Sequence, residues 1–526
     1  MLKKKILPFY AFSVLGMLSI ASCGGESLPD IPFETPYTQT ANITISNSGI
    51  SEDKVFAPEE VEMTYDMASF EKDAYYNTQV MPSTGEVNVL VLPILVPEYD
   101  EIDINNDKVD DKAKVKEDIE AIFFGDPDED ERLKFGSVAS FYEESSCGKL
   151  HLSGTVADWF NVEEELGYTK ATEITSDVTT EIMEAALADY RKSQSDNLKS
   201  FDSDEDGFID GVWLVYSAPD YTNGGPNLSD NNFWAYTSWA NQDSDGDKDE
   251  PVANVYGWAS YDFMYEGYET SSLDSHTFIH ETGHFLGLQD YYSTDGNPSY
   301  SPLGKVDMMD NNIIDHNSFT KMLLGWTKPY LVYGNAEINL KSMQNENACI
   351  VLQNDDAKVT NKFNPFSEYI LIEFYTNEGL NEIDSFQKYE NVLAPQGKGV
   401  RIYHIDKRLF SVTLDKKNNT QSIGLYDGTN LNDGLVVPIT NSRDLDVYNR
   451  VFGLDIDYNL FDEIRLIEEN GKDTFSNGGY QRISSYFRDG DSFSMDSHGA
   501  FFSDNALNDG SEFSYTVGVK LWDVIV

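Results

Sequence analysis

The sequence His280-Glu281-Thr282-Gly283-His284 is the feature that most limits how this chain can fold. On an α-helix, positions i and i+4 lie on one face, so both imidazoles can reach the same zinc ion. The glutamate between them then lies beside that ion, where it can accept a proton from water. The alternative is a structural histidine pair on a core helix. Apolar residues that predict a packed helix flank the segment: Phe278, Ile279, Phe285 and Leu286.

A catalytic zinc site needs a third protein ligand and one open position. Gly287 can end the helix and turn the chain, and Asp290 follows three residues later. The complete string is H-E-x-x-H-x-x-G-x-x-D, the metzincin pattern with aspartate where histidine is usual. We therefore expect His280, His284 and Asp290 to bind Zn²⁺ and Glu281 to act as the general base.

Metzincins also carry a methionine turn beneath the metal, and the segment from Gly304 to Asp310 is a candidate. Met309 is our choice over Met308, although the sequence does not separate them, and a methionine near a core helix often only packs. His316 follows this segment. It can be read as an oxyanion partner or as a surface histidine, and the surface reading is favoured.

A second motif, between Asp202 and Asp210, has the form D-x-D-x-D-G-x-x-D. Alternate carboxylates with Gly207 at the sixth position let a loop surround an oxygen-seeking cation. Trp213 occupies the twelfth position, so the loop is not a complete EF-hand. We expect Ca²⁺ here, against the alternative of a solvated acidic turn. The predicted calcium ligands are Asp202, Asp204, Asp206 and Asp210. A weaker candidate loop contains Asp243, Asp245, Asp247 and Asp249.

The charge of the chain excludes some functions. It has 91 acidic and 37 basic residues, a formal net charge of −54. Binding to nucleic acid through phosphate contacts would be repelled, and so would adhesion of a basic face to anionic lipid. Apolar residues make up 40% of the chain, which is enough for packed cores. The length of 526 residues favours two domains.

The N-terminus predicts export. Three lysines, Lys3 to Lys5, precede an apolar stretch from Ile6 to Ile20 that is too short and interrupted for a membrane span. The segment Ile20-Ala21-Ser22-Cys23 resembles a bacterial lipobox, which predicts a signal peptide over residues 1–23 and a lipid on Cys23. The protein would then be a cell-envelope lipoprotein, facing the periplasm or the cell surface, with membrane contact only through that lipid. A plain signal peptide is the alternative.

The apolar pattern predicts an α+β protein. Residues 24–84 are polar and read as a spacer or propeptide-like segment. A buried strand at Val87 to Leu92 and a helix from Ile174 to Ala186 begin a zincin-like domain over residues 85–330. Period-two strands then predict a β-rich, sandwich-like domain over residues 331–526. The two remaining cysteines, Cys147 and Cys349, are expected to be free and mostly buried.

Together these segments resemble the immune inhibitor A family of secreted bacterial metallopeptidases. The similarity extends over Ser137–Phe160, where Cys147 replaces a usual aromatic residue, and over Asp202–Ser217, Phe233–Trp239 and Leu323–Trp326. Weaker matches follow at Glu368–Phe374 and Gly399–Asp406, so roughly residues 85 to 410 are covered. The resemblance implies a zinc endopeptidase that acts on protein or peptide substrates, with the same three ligands and base.

Two other functions remain open from the sequence. One is a catalytically silent surface lipoprotein that binds protein or glycan on a zincin scaffold, which the intact Glu281 disfavours. The other is a zinc hydrolase that acts on something other than a peptide, which the motif alone permits.

Overall fold

The computed structural model describes residues 38–524, with gaps at 48, 50–51, 74–78, 105–106, 227–231, 241–244, 267–271, 294–299, 354–357, 416–419, 427–433, 442–461 and 503–505. The predicted signal peptide and Cys23 lie outside the described residues. Among the helices of the described part, none is long and apolar enough to span a membrane.

The helices and strands are given in chain order. The first strands are β1 (Thr38–Asn47), β2 (Lys54–Phe56), β3 (Glu62–Met63), β4 (Gly85–Leu95), β5 (Leu150–Val156), β6 (Phe160–Asn161), β7 (Phe208–Ile209), β8 (Gly211–Tyr216), β9 (Tyr236–Trp239), β10 (Val252–Ala253) and β11 (Val255–Ser260). The later strands are β12 (Tyr330–Tyr333), β13 (Ala336–Lys341), β14 (Cys349–Leu352), β15 (Lys362–Phe363), β16 (Glu368–Thr376), β17 (Lys398–Asp406), β18 (Leu409–Asp415), β19 (Thr420–Leu425), β20 (Gly434–Pro438), β21 (Ile464–Leu466), β22 (Ser492–Ser494) and β23 (Tyr515–Val524). The helices are α1 (Met67–Asp73), α2 (Lys112–Phe124), α3 (Val138–Ser145), α4 (Val162–Leu166), α5 (Ser176–Arg191), α6 (His276–Phe285), α7 (Met308–Asn311), α8 (Ser318–Leu323), α9 (Met343–Glu346) and α10 (Glu382–Phe386).

The first sheet has the strand order β5-β4-β8-β11-β9, with β6 beside β4. Its strands run parallel except β9, which pairs antiparallel with β11 at one edge. Helices cover both faces, which is why β4 is an apolar run without polar alternation. Val87, Val89 and Val91 face the core cluster that contains α2, α3 and α6, whereas Leu90 and Leu92 face the cluster that contains α5.

Two further large sheets, a three-stranded sheet (β19-β18-β20) and two two-stranded sheets (β10-β7 and β15-β3) complete the described strands. One large sheet has the order β2-β12-β14-β16-β17-β21 and the other the order β13-β1-β23-β22, and the two share a buried core. The opposite face of the six-stranded sheet, through residues such as Val351 and Leu371, belongs to the same core as Phe278 and Ile279 of α6. Helix α6 is therefore packed in a core to which both halves of the chain contribute. The mixture of helices and sheets is the α+β class that the sequence predicts.

Part of the segment predicted to be a spacer is instead a strand of the folded protein. Within residues 24–84, β1 lies between β13 and β23 and pairs antiparallel with both. Ala41, Ile43 and Ile45 are buried, while Thr44 and Ser46 are exposed. This short period-two pattern lies within a polar stretch of the sequence. Because both partner strands come from the second half of the chain, the local composition does not predict β1.

The buried face of β1 predicts a stability effect. Ile43 has no exposed surface, so Ile43→Ala should lower the free energy of unfolding by about 3 kcal/mol, the usual cost of a core cavity. Thr44→Ala, at the neighbouring exposed position, is the control and should change it by less than about 0.5 kcal/mol. Urea unfolding measures both. Equal, negligible effects would mean that the segment is a spacer after all.

Candidate metal centre and active site

The H-E-x-x-H segment forms α6, and all ten of its residues are buried. At its start, Asp274 Oδ1 accepts a hydrogen bond from His276 N at 3.0 Å. At its end, Gly287 has a left-handed backbone with φ +86°, and a Cβ there would lie 2.9 Å from Met67 Cγ. Glycine is therefore required both by the turn and by close packing. This turn brings Asp290 back towards the helix.

The N-terminus of α6 is fastened to the second half of the chain by His276. Its Nδ1 lies 2.7 Å from Asp274 Oδ1, and its Nε2 lies 3.4 Å from Asp384 Oδ1. The ring is stacked between Phe135 and Tyr389, at centroid distances of 3.8 and 4.2 Å. Burial opposes its protonation, but the two carboxylates outweigh burial and raise the pKa of His276 to about 9. A buried imidazolium thus holds the catalytic helix in place.

Three predicted ligands meet at one point. The Nε2 atoms of His280 and His284 lie 3.1 and 3.4 Å from Asp290 Oδ1. The Nδ1 atoms lie 2.8 Å from the backbone oxygens of Met308 and Leu288, respectively. Because a carbonyl oxygen only accepts, each Nδ1 carries a proton and each Nε2 is the atom available to a metal.

The charges in this cluster compensate one another. Burial opposes ionisation of Asp290, yet His284 and the hydrogen bonds from both rings hold its pKa below the usual range. Burial also opposes protonation of His284, but Asp290 raises its pKa to about 9. Buried imidazoles beside a buried carboxylate are a donor set suited to a divalent cation. The ligand atoms of His280, Glu281 and His284 all lie within 4.8 Å of one another.

Glu281 is held by the edge strand of the first sheet. The hydroxyl of Thr237, on β9, lies 3.0 Å from Glu281 Oε2 and 3.1 Å from the Glu281 backbone oxygen. Burial raises the pKa of Glu281, and the two neighbouring imidazoles partly offset that rise. A carboxylate with a raised pKa is suited to accept and then release a proton. Nothing in the sequence connects Thr237 with Glu281.

Met309 lies under the catalytic helix. A Cβ added at Gly283 would lie 2.6 Å from Met309 Sδ, so the sulfur packs directly against the middle of α6. The backbone oxygen of Met309 accepts from Tyr291 N at 2.7 Å, and that of Met308 holds His280. The two methionines, which the sequence does not separate, thus have different positions: Met309 contributes its side chain beneath the helix and Met308 its carbonyl.

His316 is not a surface residue, as the sequence favoured, but is buried with 1% of its surface exposed. It packs against Phe141, Tyr142 and Trp326, with ring centroids 5.6 to 6.0 Å apart. Neither ring nitrogen has a hydrogen-bond partner among the described residues. Burial lowers its pKa well below the usual value, with Lys321 adding to the effect. The three surrounding rings explain the burial.

Tyr292 is a site residue that the sequence analysis missed. It lies two residues after the predicted ligand Asp290 and shares a hydrogen bond with its side chain. Burial, with the negative charges of Asp290 and Glu281, raises the pKa of Tyr292 well above its usual value. The phenol therefore keeps its proton and is a hydrogen-bond donor beside the candidate metal centre. Its position two residues after Asp290 was the available signal.

The acidic loop brings three of its four predicted ligands together. Oxygen atoms of Asp202, Asp204 and Asp210 lie within 4.8 Å of one another. Asp206 instead accepts from Gln79 Nε2 at 2.8 Å. Burial raises the pKa of Asp210 to about 7. In the weaker loop, Asp243 lies outside the described residues, and Asp245, Asp247 and Asp249 form no such group there.

The cysteines differ from expectation in one respect. Cys349 is buried and free, as predicted, while Cys147 is free but exposed. Cys147 has a left-handed backbone, with φ 55°, in the turn that joins α3 to β5. That turn lies at the surface, so the thiol is not enclosed.

Comparison with protein families gives the class of the domain. Residues 82–313 match the model of the immune inhibitor A peptidase M6 catalytic domain. The chain carries an immune inhibitor A-type peptidase domain. This confirms the family that the sequence resembles, and it makes the domain a metallopeptidase with a zincin-like fold. No curated protein matches the chain.

The contact between Thr237 and Glu281 predicts a catalytic effect. Thr237→Val keeps the shape of the side chain but removes the hydroxyl, so kcat on a peptide substrate should fall roughly tenfold or more while KM changes little. Thr237→Ser retains the hydroxyl and should restore most of the activity. Steady-state kinetics test both variants. Equal rates for wild type and Thr237→Val would show that the hydroxyl does not position Glu281.

Proposed function

We propose that the protein is a zinc-dependent endopeptidase of the bacterial cell envelope. The observation that carries this proposal is the convergence of His280, His284 and Asp290 beside Glu281 on a buried helix. Both imidazoles present Nε2 and have Nδ1 engaged by backbone carbonyls, the arrangement that zinc sites use. Family membership supports the peptidase class, and M6 peptidases are generally zinc-dependent.

In this mechanism His280, His284 and Asp290 would hold the metal. Zinc bound there would supply Lewis-acid chemistry for polarising a peptide carbonyl and acidifying a water molecule. Glu281 accepts the proton of the attacking water at a carboxylate oxygen and then donates it to the leaving amide nitrogen. Thr237 holds that carboxylate by its hydroxyl. Tyr292 keeps its phenol proton and shares a hydrogen bond with Asp290; it would donate to the oxygen that becomes negative during attack by exchanging that hydrogen bond for one to the oxygen.

The edge strand β9 offers a binding surface for an extended peptide. Among the described residues the first sheet pairs it with β11 alone, so its other edge is the side on which a further strand could add. A substrate that adds as a further strand would form main-chain hydrogen bonds irrespective of its sequence. Because Thr237 lies on this strand and contacts Glu281, such a peptide passes directly beside the base.

Export and lipid attachment are part of the same proposal. Their support is the lysine-rich start, the apolar stretch and the lipobox-like segment that ends in Cys23. A catalytically silent binding lipoprotein is the second candidate. It does not account for a base that is buried, held by Thr237 and placed against both imidazoles.

Removal of the base tests the catalytic proposal. Glu281→Ala should lower peptide hydrolysis by about 10³-fold or more, since general-base catalysis contributes this much. It should leave zinc bound, because the three ligands remain. Asp290→Ala should instead reduce zinc content as well as activity. Casein cleavage and metal analysis of each purified variant measure the two effects.

Outcomes of this comparison separate the candidate functions. Wild-type protein with about one zinc per chain, active on casein and peptides but not on matched esters, supports the endopeptidase. Zinc retention without hydrolysis of any substrate would favour the silent lipoprotein. A folded wild-type protein that binds no zinc would contradict the proposal.

We also propose that the loop around Asp202, Asp204 and Asp210 binds calcium. Support comes from the three converging carboxylates and from Gly207, whose φ of +95° closes the loop. Gln79 joins this loop to the edge strand, since it contacts Asp206 and its backbone oxygen accepts from Trp239 Nε1 at 3.0 Å. A cation would neutralise the carboxylates and stiffen this connection.

Thermal unfolding tests the calcium proposal. Saturating Ca²⁺ should raise Tm by about 5 °C, because ligand bound only to the folded state adds about 2–3 kcal/mol. Asp210→Asn should abolish the increase. Asp245→Asn, an exposed carboxylate of the weaker loop, is the control and should retain it. A wild-type Tm that does not respond to Ca²⁺ would leave the loop as a solvated acidic turn.

A further inference from the structure

Three carboxylates gather where β8 and β11 end. Asp262 Oδ2 accepts from Asp220 N at 3.0 Å. Asn223 Nδ2 lies 2.8 Å from Asp220 Oδ2 and 2.8 Å from Glu266 Oε1, so one amide bridges two carboxylates. Beside them Tyr221 stacks on Trp234, with ring centroids 5.5 Å apart. We refer to Asp220, Tyr221, Trp234, Asp262 and Glu266 as the aromatic–acidic cluster.

The negative charge of this cluster is not compensated. No lysine or arginine of the described residues forms an ion pair with Asp220, Asp262 or Glu266. Asp262 is only 9% exposed, and its Oδ1 atom has no hydrogen-bond partner in the described part of the chain. Glu266 has exposed surface, yet partial burial of its carboxyl group and the charges of Asp262, Asp220 and Asp274 raise its pKa to about 8, against the hydrogen bond from Asn223. Such a group of carboxylates is stabilised by an added cation.

The spacing of the carboxylates favours an organic cation over a metal ion. Groups whose ligand atoms converge within 4.8 Å occur in the described residues only at the catalytic helix and the acidic loop, not here. The stacked rings of Tyr221, which is 37% exposed, and Trp234 provide a flat aromatic surface. An aromatic surface beside carboxylates suits the apolar stem and charged end of lysine or arginine.

The cluster lies along the path of the proposed substrate. Phe233 O accepts from Ser260 N at 3.2 Å, so the chain before β9 continues alongside β11. Trp234 packs edge-on against Phe263, at 5.1 Å, in the core that also contains Phe278 of the catalytic helix. It therefore lies on the helix side of the sheet. Trp234 precedes Thr237 by three residues, which is about 10 Å of extended chain.

We propose that the aromatic–acidic cluster is a subsite that selects lysine or arginine in the peptide substrate, two to four residues C-terminal to the cleaved bond. A peptide that pairs antiparallel with β9 runs parallel to β11, and β11 leads to Asp262. The residues C-terminal to the cleaved bond would therefore extend from Thr237 towards the cluster. This inference rests on the proposed peptidase function.

Matched fluorogenic peptides test the subsite with the zinc-loaded enzyme. The peptides differ at one of these positions, which carries lysine, the uncharged isostere norleucine or glutamate. Wild type should cleave the lysine peptide roughly tenfold better than the norleucine peptide, as measured by kcat/KM, and the glutamate peptide worst. Glu266→Gln should remove most of the advantage of the lysine peptide over the norleucine peptide. Glu266→Lys should reverse the order of the lysine and glutamate peptides.

Glu117→Gln is the matched control, since Glu117 is exposed on α2 and is not part of the cluster, and it should keep the lysine preference. The proposal is overturned if wild type cleaves the lysine and norleucine peptides equally. It is also overturned if Glu266→Gln and Glu117→Gln have the same effect, or if Glu266→Gln instead removes a bound metal ion. Failure of the peptidase function would appear differently, as no cleavage of any of the peptides.

Discussion

Two hydrogen bonds from imidazole Nδ1 atoms to backbone carbonyls determine the candidate metal centre. They hold His280 against Met308 and His284 against Leu288, each at 2.8 Å. Each bond fixes one tautomer and directs Nε2 towards Asp290. The carbonyls themselves belong to the methionine turn and to the turn after the helix, so both segments must be folded before the ligands converge. The site is thus a product of the local turns as much as of the helix.

The site also depends on the second half of the chain. The six-stranded sheet that contains β16 and β17 contributes one face to the core in which α6 is buried. Asp384 and Tyr389 contact His276 at the start of that helix. A buried imidazolium between two carboxylates tolerates little displacement, because separating these charges would leave one unpaired. The zincin-like domain is therefore positioned partly by residues outside the family match.

Polar residues from distant segments give the site its chemistry. Thr237 reaches Glu281 from the edge strand, and Tyr292 contacts Asp290 from the turn that follows the helix. The sheet explains both the substrate path and the placement of the aromatic–acidic cluster, since β9 is antiparallel to its neighbour and begins two residues after Trp234. One strand thus connects Glu281, the proposed peptide-binding edge and the proposed cationic subsite.

The sequence by itself determined the helix, the residue types and order of its candidate ligands, and the family resemblance. A metal-binding helix of this kind requires histidines at i and i+4 and a glycine turn before the third donor. The acidic loop could also be predicted from the sequence, because its carboxylates lie within nine consecutive residues. Only the tertiary structure placed Thr237 on Glu281, separated Met309 from Met308, buried His316 among three rings and made β1 a central strand. These features bring together residues that are far apart in the chain. Local sequence patterns do not predict such long-range contacts.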